Sequence, residues 1–284
     1  MTVLRSVVTD VRSAIGLGVL AVMCAVALCA PLIAPADPAA QADILQSRFL
    51  APFAVGPEGL IHWLGTDALG RDVLSRLVYG ARISLAVGFV SVGLSLLLGT
   101  AIGVTSAFLG GVTERVLMAI TDTALAMPRI VLLLALVALW EPSLTLVILV
   151  LGFTGWMSIA RLARAEVKGI LHRPFVDAAR ATGSSRPRIL RTHLLPNALT
   201  PIIVAGALAV GNAIMLEAGL SFLGLGIPAP APSWGNMIAS GREALVNAPW
   251  IATIPGLAVA LSVVSLNLLG DGLRDALDPT TREY

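Results

Sequence analysis

The sequence predicts an all-α membrane protein, a single domain (residues 1–284) with six transmembrane helices. Hydrophobic residues make up 57% of its 284 positions and charged residues only 13%, whereas soluble domains carry about 25% charge. Long uncharged runs recur along the chain, and about 20 apolar residues suffice to cross a bilayer. Eight of the nineteen basic residues lie instead in residues 161–197, so we expect a helical bundle with one polar elbow.

The first predicted span covers residues 13–35. Arg5 and Arg12 precede it and are expected to keep the N-terminus in the cytoplasm. The tripeptide Ala25–Ala27 would also suit a cleavage site, so a removable signal peptide stays open as an alternative. The length of the apolar run favours an uncleaved helix that crosses the membrane.

The next segment, residues 37–82, is polar enough to form an external loop. Its second half predicts a short helix that begins at Thr66 or Asp67 and ends at Gly80. The apolar residues of this stretch share one face. We therefore expect an amphipathic helix that lies along the membrane surface.

The second span is predicted at residues 83–109, where four glycines allow neighbouring helices to approach closely. The third span is constrained by charge, because only eleven residues separate Arg129 from Glu141. That distance is about 17 Å of helix, too short for a hydrocarbon core of about 30 Å. The third span is therefore predicted to cover residues 116–140, with Asp122 and Arg129 on the same helical face.

Three further spans are predicted at residues 143–160, 198–222 and 251–269. Arg161 is expected to end the first of these three. Glu217 lies about 30 Å of helix beyond Asn197, so we expect an interfacial carboxylate near the outer surface. Trp234 and Trp250 suit an aromatic belt at that interface.

The elbow, residues 161–197, predicts two short helices around a glycine. Pro174 can occupy the first turn of the first helix, where its missing N–H costs nothing. Gly183 suits a left-handed stop. Ser184 or Ser185 can cap the second helix, and Pro196 is expected to end it.

The basic residues predict the orientation of the bundle. With both termini in the cytoplasm, fourteen Lys and Arg residues fall inside and five outside, and the inverted topology would reverse that ratio. We therefore expect a multi-pass protein surrounded by membrane lipid. Because topology explains the basic residues, no nucleic-acid partner is expected.

The elbow also carries a recognisable motif. The run Asp177-Ala178-Ala179, followed by Gly183 and Pro196, resembles the EAA loop of ABC-importer permeases, with Asp177 in place of the usual Glu and His193 in place of an aliphatic residue. In that family the loop forms a coupling helix that docks into a cytoplasmic ATPase subunit. The resemblance implies a coupling role for Pro174, Phe175, Asp177, Ala178, Ala179 and Gly183. The alternative is a basic loop that only obeys the positive-inside rule.

A longer motif precedes the second span. Residues 64–85 match the pattern LGTDxxGRDxxSRxxxGxRxSL, which resembles permeases of dipeptide, oligopeptide and nickel importers. This resemblance implies the type I ABC-importer permease fold in a prokaryotic cytoplasmic membrane. It also implies a second homologous permease, two cytoplasmic ATPases and an extracytoplasmic substrate-binding protein. The expected cargo is a di- or oligopeptide, with a nickel chelate or a glutathione-like molecule as the alternative.

Other classes of function have less support in the sequence. Lys168 follows Val167, so the chain has no Walker A loop, and ATP and magnesium are expected on the partner subunits with no cofactor in this chain. An intramembrane enzyme would need a catalytic motif, and no HExxH is present. An ion-coupled secondary transporter would need several ionisable groups in the membrane, where only Asp122 and Arg129 qualify. The chain is therefore expected to be a transport subunit without enzymatic activity.

Arg129 has three possible environments. A guanidinium held against lipid costs at least ~2.5 kcal/mol, so the side chain needs a partner or water. It can pair with Asp122 through water or a neighbouring helix, or snorkel to the inner headgroups. It can also face a water-filled pathway between the two permeases and offer a cationic station to the carboxylate of a passing peptide.

Overall fold

The computed structural model describes residues 8–41 and 43–277, and most of these residues are helical. The first half of the chain contains α1 (Val11–Leu28), α2 (Ala30–Ile33), α3 (Ile44–Ser47), β1 (Ala54–Val55), β2 (Ile61–His62), α4 (Val73–Leu109), α5 (Gly111–Ala126) and α6 (Arg129–Val137). The second half contains α7 (Leu144–Leu171), α8 (Pro174–Ala181), α9 (Arg186–Ile189), a π-helical turn (Leu190–Leu194), α10 (Leu195–Phe222), α11 (Trp234–Gly241), a 3₁₀ turn (Arg242–Ala244) and α12 (Trp250–Leu277).

The all-α fold is confirmed, and the part of the chain that the structure describes gives five crossings, or six if one bent pair of helices counts as a span. Within the described residues, five helical stretches are long and apolar enough to span a membrane: α1, α4, α7, the continuous run from α9 to α10, and α12. The pair α5 and α6 supplies a sixth crossing if the two count as one span, and their axes differ by 84°.

The predicted surface helix ending at Gly80 is wrong, because α4 starts at Val73 and continues to Leu109 without a break. Asp72 is the N-cap, and its carboxylate accepts from the Ser75 backbone N–H at 2.7 Å. Gly80 does not end the helix. It allows α4 to pack closely against Trp234, since a Cβ added at Gly80 would lie 3.3 Å from Cδ1 of that residue. The amphipathic stretch is therefore the first part of a long crossing helix.

Two other predicted helix ends are also wrong. α7 continues ten residues beyond Arg161 to Leu171, because a helix can leave the membrane and carry charge on its polar extension. Pro196 does not end the second elbow helix, since it lies in the first turn of α10. The π-helical turn before it widens the helix where proline withholds its N–H. The elbow is thus built from helices that continue into the fourth and fifth crossings.

Close helix packing at the glycines of α4 is confirmed for three of the four positions. Cβ atoms added at Gly88 and Gly99 would lie 2.8 Å from Cγ1 of Ile214 and 2.6 Å from Cβ of Ile159. A Cβ at Gly103 would lie 2.7 Å from Cβ of Ala163, whereas Gly93 faces open space. α4 therefore packs directly against α7 and α10, and it forms the centre of the bundle.

The end of the bundle before α4, which we call the hairpin end, holds a small antiparallel hairpin with Ala54 opposite His62. Beneath it lies a group of buried ionisable side chains. Nδ1 of His62 lies 2.9 Å from Oδ1 of Asp72. Oδ2 of Asp67 accepts from Nε of Arg71 at 2.7 Å. These contacts tie the loop to the start of α4.

Candidate functional site

The elbow end of the bundle presents one short, exposed helix, α8. Pro174 lies in its first turn, as predicted. Gly183 has φ +81, and its N–H donates to the Arg180 carbonyl while the Ser184 N–H donates to the Ala179 carbonyl, both at 3.0 Å. These two hydrogen bonds are the ones that close a helix whose C-terminal end is a left-handed glycine. The left-handed conformation predicted for Gly183 is therefore confirmed.

One residue anchors α8 to the bundle. Val176 has no exposed surface and belongs to an apolar cluster. The cluster also contains residues from the elbow ends of α4, α7 and α10: Val104, Ala107, Ala163, Val167, Ala198 and Ile202. Because three crossing helices share this cluster, a force on α8 would act on all three.

The opposite face of α8 lies in solvent. Phe175, Asp177 and Ala178 are exposed, and Ala179 is half-buried. Nη1 of Arg180 donates to Oδ1 of Asp177 at 2.9 Å. The Phe175 ring lies 6.0 Å from the His193 ring, between centroids. This face therefore offers an aromatic ring, a small apolar surface and a carboxylate to a partner protein.

Ion pairs join α5 to α7 behind the elbow. Oε1 of Glu114 accepts from Nε of Arg164 at 2.6 Å and also contacts Nζ of Lys168. Closer to the break between α5 and α6, Oδ1 of Asp122 lies 3.7 Å from Nε of Arg161. The first half of the broken crossing is thus attached to the helix that leads into α8.

The prediction that Asp122 and Arg129 share a helical face is wrong. The chain leaves the helical conformation at Met127 and Pro128, which have ψ 131 and ψ 119, because proline disfavours a helical residue before it. Asp122 therefore remains on α5 beside Arg161, and Arg129 begins α6. Nη2 of Arg129 donates to the Leu151 carbonyl on α7 at 3.4 Å.

A cavity of about 270 Å³ lies at this break. Both half-helices and α7 line it, with Met127, Pro128, Arg129, Leu132, Thr154 and Ser158 among the lining residues. The length of the third span predicted from the sequence that Arg129 lies in the membrane. The cavity was not predicted, because it depends on the bend between α5 and α6.

Glu217 lies toward the hairpin end, but the exposed interfacial carboxylate predicted for it is wrong, because its side chain is fully buried. Its carboxylate accepts hydrogen bonds from Ser221 at 2.8 Å, from Ser233 at 2.9 Å and from Ser84 at 3.3 Å. These serines come from α10, from the N-cap of α11 and from α4. The sequence did not single out these serines, because each of them appears there only as a small polar residue among mostly apolar neighbours.

Trp234 is likewise buried, at 2% exposure, and not part of an interfacial belt. Its backbone N–H donates to Oγ of Ser84 at 3.1 Å, and its ring N–H donates to the Leu77 carbonyl at 3.1 Å. Trp250 is half-buried, with its ring N–H 3.4 Å from the Thr66 carbonyl. Glu217, Ser84 and Trp234 together join α4, α10 and α11 near the hairpin end.

The fold and the elbow define the class of protein. A bundle of helices long and apolar enough to cross a membrane, which presents one exposed, glycine-terminated helix, identifies a multi-pass membrane protein. Residues 80–283 match the family described as binding-protein-dependent transport system inner membrane component. The chain belongs to this family.

Two relatives agree with this assignment. The chain is 43% identical to a dipeptide transport system permease protein of Alkalihalophilus pseudofirmus, over 77% of this chain and 72% of the relative. It is 41% identical to a di/tripeptide transport system permease protein of Pseudomonas aeruginosa, over 89% and 83%.

The solved structure is the MetNI methionine ABC transporter in inward-facing conformations. One of its chains matches with a TM-score of 0.59 at 23% identity, over 72% of this chain and 96% of that chain. The match shows that this chain shares the fold of that chain.

Proposed function

We propose that this chain is a permease subunit of an ABC importer that moves short peptides across the cytoplasmic membrane. The observation that carries the proposal is the geometry of α8, which is exposed on one face and attached through Val176 to three crossing helices. A helix placed in this way can receive a mechanical displacement from a partner and pass it to the bundle. Pro174, Phe175, Asp177, Ala178, Ala179 and Gly183 are the residues proposed to form this coupling site.

The importer needs further subunits. A second, homologous permease completes the pathway, two cytoplasmic ATPases hold ATP and magnesium, and an extracytoplasmic binding protein delivers the cargo. The basic residues support an orientation with the elbow and both termini in the cytoplasm. In this arrangement the chain contributes no catalytic group and acts as the moving part of the importer.

The proposed mechanism is alternating access. When ATP closes the two ATPases, the docked α8 helices approach each other. The displacement passes through the cluster around Val176 into α4, α7 and α10, and these helices move the bundle from inward-open to outward-open. Hydrolysis of ATP restores the first state. Asp177 contributes to docking and Gly183 fixes the end of α8, and neither residue takes part in a chemical reaction.

The names of two relatives support a short peptide as cargo, since they are described as dipeptide and di/tripeptide permease proteins. The test is uptake into proteoliposomes that contain the complete complex, with its binding protein outside and ATP inside. We expect uptake of labelled alanyl-alanine that requires both ATP and the binding protein. Uptake of glutathione or of a nickel chelate, without uptake of the dipeptide, would contradict the peptide assignment.

A further inference from the structure

The break in the third crossing brings a charged side chain to an open cavity. Arg129 is the first residue of α6, directly after the 84° bend that separates it from α5. Its side chain lines the cavity of about 270 Å³ together with Ser158 of α7. Irregular backbone inside a membrane is tolerated where it is buried in protein or lines a water-filled space, and this break lines the cavity.

The contacts of Arg129 place its charge near the middle of the membrane. Its Nη2 donates to the Leu151 carbonyl and lies beside Gly155, where an added Cβ would be 3.4 Å from it. Leu151 precedes Arg161, the first charged residue of α7, by ten residues, or about 15 Å of helix. Because the hydrocarbon core is about 30 Å thick, this contact holds the guanidinium near mid-depth and away from the headgroups.

No carboxylate neutralises this charge within the part of the chain that the structure describes. Asp122, the nearest acidic residue in sequence, lies on the other half-helix and approaches Arg161. An arginine at this depth is disfavoured against lipid, so the guanidinium requires water or an anionic ligand. These contacts disfavour the ion pair with Asp122 and the snorkelling position, and they favour the third environment considered for Arg129, the water-filled pathway.

We propose that this cavity is a binding station on the translocation pathway, at which Arg129 holds the C-terminal carboxylate of a peptide in transit. The proposal rests on the proposed function for the nature of the cargo. The N-terminus of α6 adds partial positive charge at the same place, and the exposed Ser158 hydroxyl is available to the ligand.

The size of the cavity agrees with one end of a peptide. Pockets that enclose a whole small molecule occupy about 300–1,000 Å³, and this cavity is slightly smaller. A station that holds only the C-terminal carboxylate does not select between peptides with different side chains. One charged contact in an open cavity also lets the cargo leave, as transport requires.

The first experiment measures thiol labelling of Ser158→Cys in the purified complex, with Cys24 and Cys29 replaced by alanine. A neutral, water-soluble maleimide should label this position, and alanyl-alanine should slow the labelling several-fold. The C-terminal amide of the same dipeptide should not. Protection should be retained with Arg129→Lys and lost with Arg129→Gln.

The matched control is Leu149→Cys, which is exposed on α7 but does not line this cavity. It should label slowly and without protection. If Ser158→Cys does not label, or if the dipeptide and its amide protect it equally, the binding station is overturned.

The second experiment measures uptake of alanyl-alanine by the complete importer. Arg129→Gln should lower uptake about tenfold, equivalent to about 1.4 kcal/mol, whereas Arg129→Lys should retain most of it. Arg115→Gln, which removes an exposed arginine from α5, is the control and should have no effect. Uptake at the wild-type rate by Arg129→Gln would overturn the proposal.

The two proposals fail in different ways. A wild-type complex that takes up no dipeptide would contradict the peptide importer itself. Labelling of Ser158→Cys does not require transport, so it tests separately whether the cavity is open to water and whether Arg129 determines its affinity for a carboxylate.

Discussion

Single residues determine how the elbow ends, and Gly183 is the clearest case. Its φ of +81 lies in the region that favours glycine, and a Cβ added there would meet nothing within 4 Å. Within this chain, a side chain at this position would therefore cause backbone strain without a steric clash, and a comparison of two substitutions can test that strain.

We expect Gly183→Val to reduce transport without reducing the amount of protein in the membrane. A β-branched residue at positive φ costs about 1–3 kcal/mol, which is enough to change how α8 ends and presents its exposed face. Gly183→Asn is the matched control, because asparagine tolerates the left-handed conformation. The measurement is dipeptide uptake at equal abundance. Equal uptake by both variants would contradict a role for this helix end in coupling.

Glu217 is a second single residue with a large expected effect, here inside the bundle. Its carboxylate accepts hydrogen bonds from three serine hydroxyls that belong to three different elements. Glu217→Leu should lower stability, since each buried hydroxyl left without an acceptor costs about 1–3 kcal/mol. Glu217→Gln keeps an acceptor oxygen and should be tolerated. The comparison is the thermal unfolding midpoint in detergent, and a leucine variant as stable as the glutamine variant would show that the hydrogen bonds contribute little.

At the scale of elements, ion pairs attach α5, the first half of the broken crossing, to α7. Glu114 contacts both Arg164 and Lys168 and its side chain is only 15% exposed, whereas Asp122 and Arg161 are both more than half exposed. The two ends of α5 are therefore attached to α7 with different strengths.

Glu114→Gln should destabilise the protein by roughly 1 kcal/mol, because a shared, partly buried carboxylate is worth more than an exposed pair. Asp122→Asn is the control and should have almost no effect, since exposed pairs at longer distance contribute little. Unfolding midpoints of both variants, measured in the same detergent, provide the comparison. A larger effect of Asp122→Asn would refute the assignment of the attachment to Glu114.

At the scale of the whole molecule, the prediction concerns orientation. Glu58 in the hairpin and Ser185 in the elbow are both exposed and lie at opposite ends of the bundle. With Cys24 and Cys29 replaced by alanine, an impermeant thiol reagent should label Glu58→Cys from outside the cytoplasmic membrane. It should label Ser185→Cys only after that membrane is opened. Labelling of Ser185→Cys in intact cells would invert the proposed topology.

Several features followed from the sequence because they depend on local properties. Apolar length and the positions of charges predicted an all-α protein with six crossings. The order of proline and glycine predicted α8 and its left-handed end at Gly183, since proline suits a first helical turn and glycine a positive φ. Segments close in sequence determine such features, so the chain by itself specified them.

Other features were decided only by the tertiary structure. Ser84 reaches Glu217 across 133 residues and the Trp234 backbone across 150, and no local pattern marks those partners. Asp122 and Arg129 share a face only in a straight helix, and packing of α6 against α7 holds the two half-helices at 84°. The sequence by itself determined which segments cross the membrane, whereas burial and polar partners, which depend on contacts between distant segments, were decided by how the helices pack.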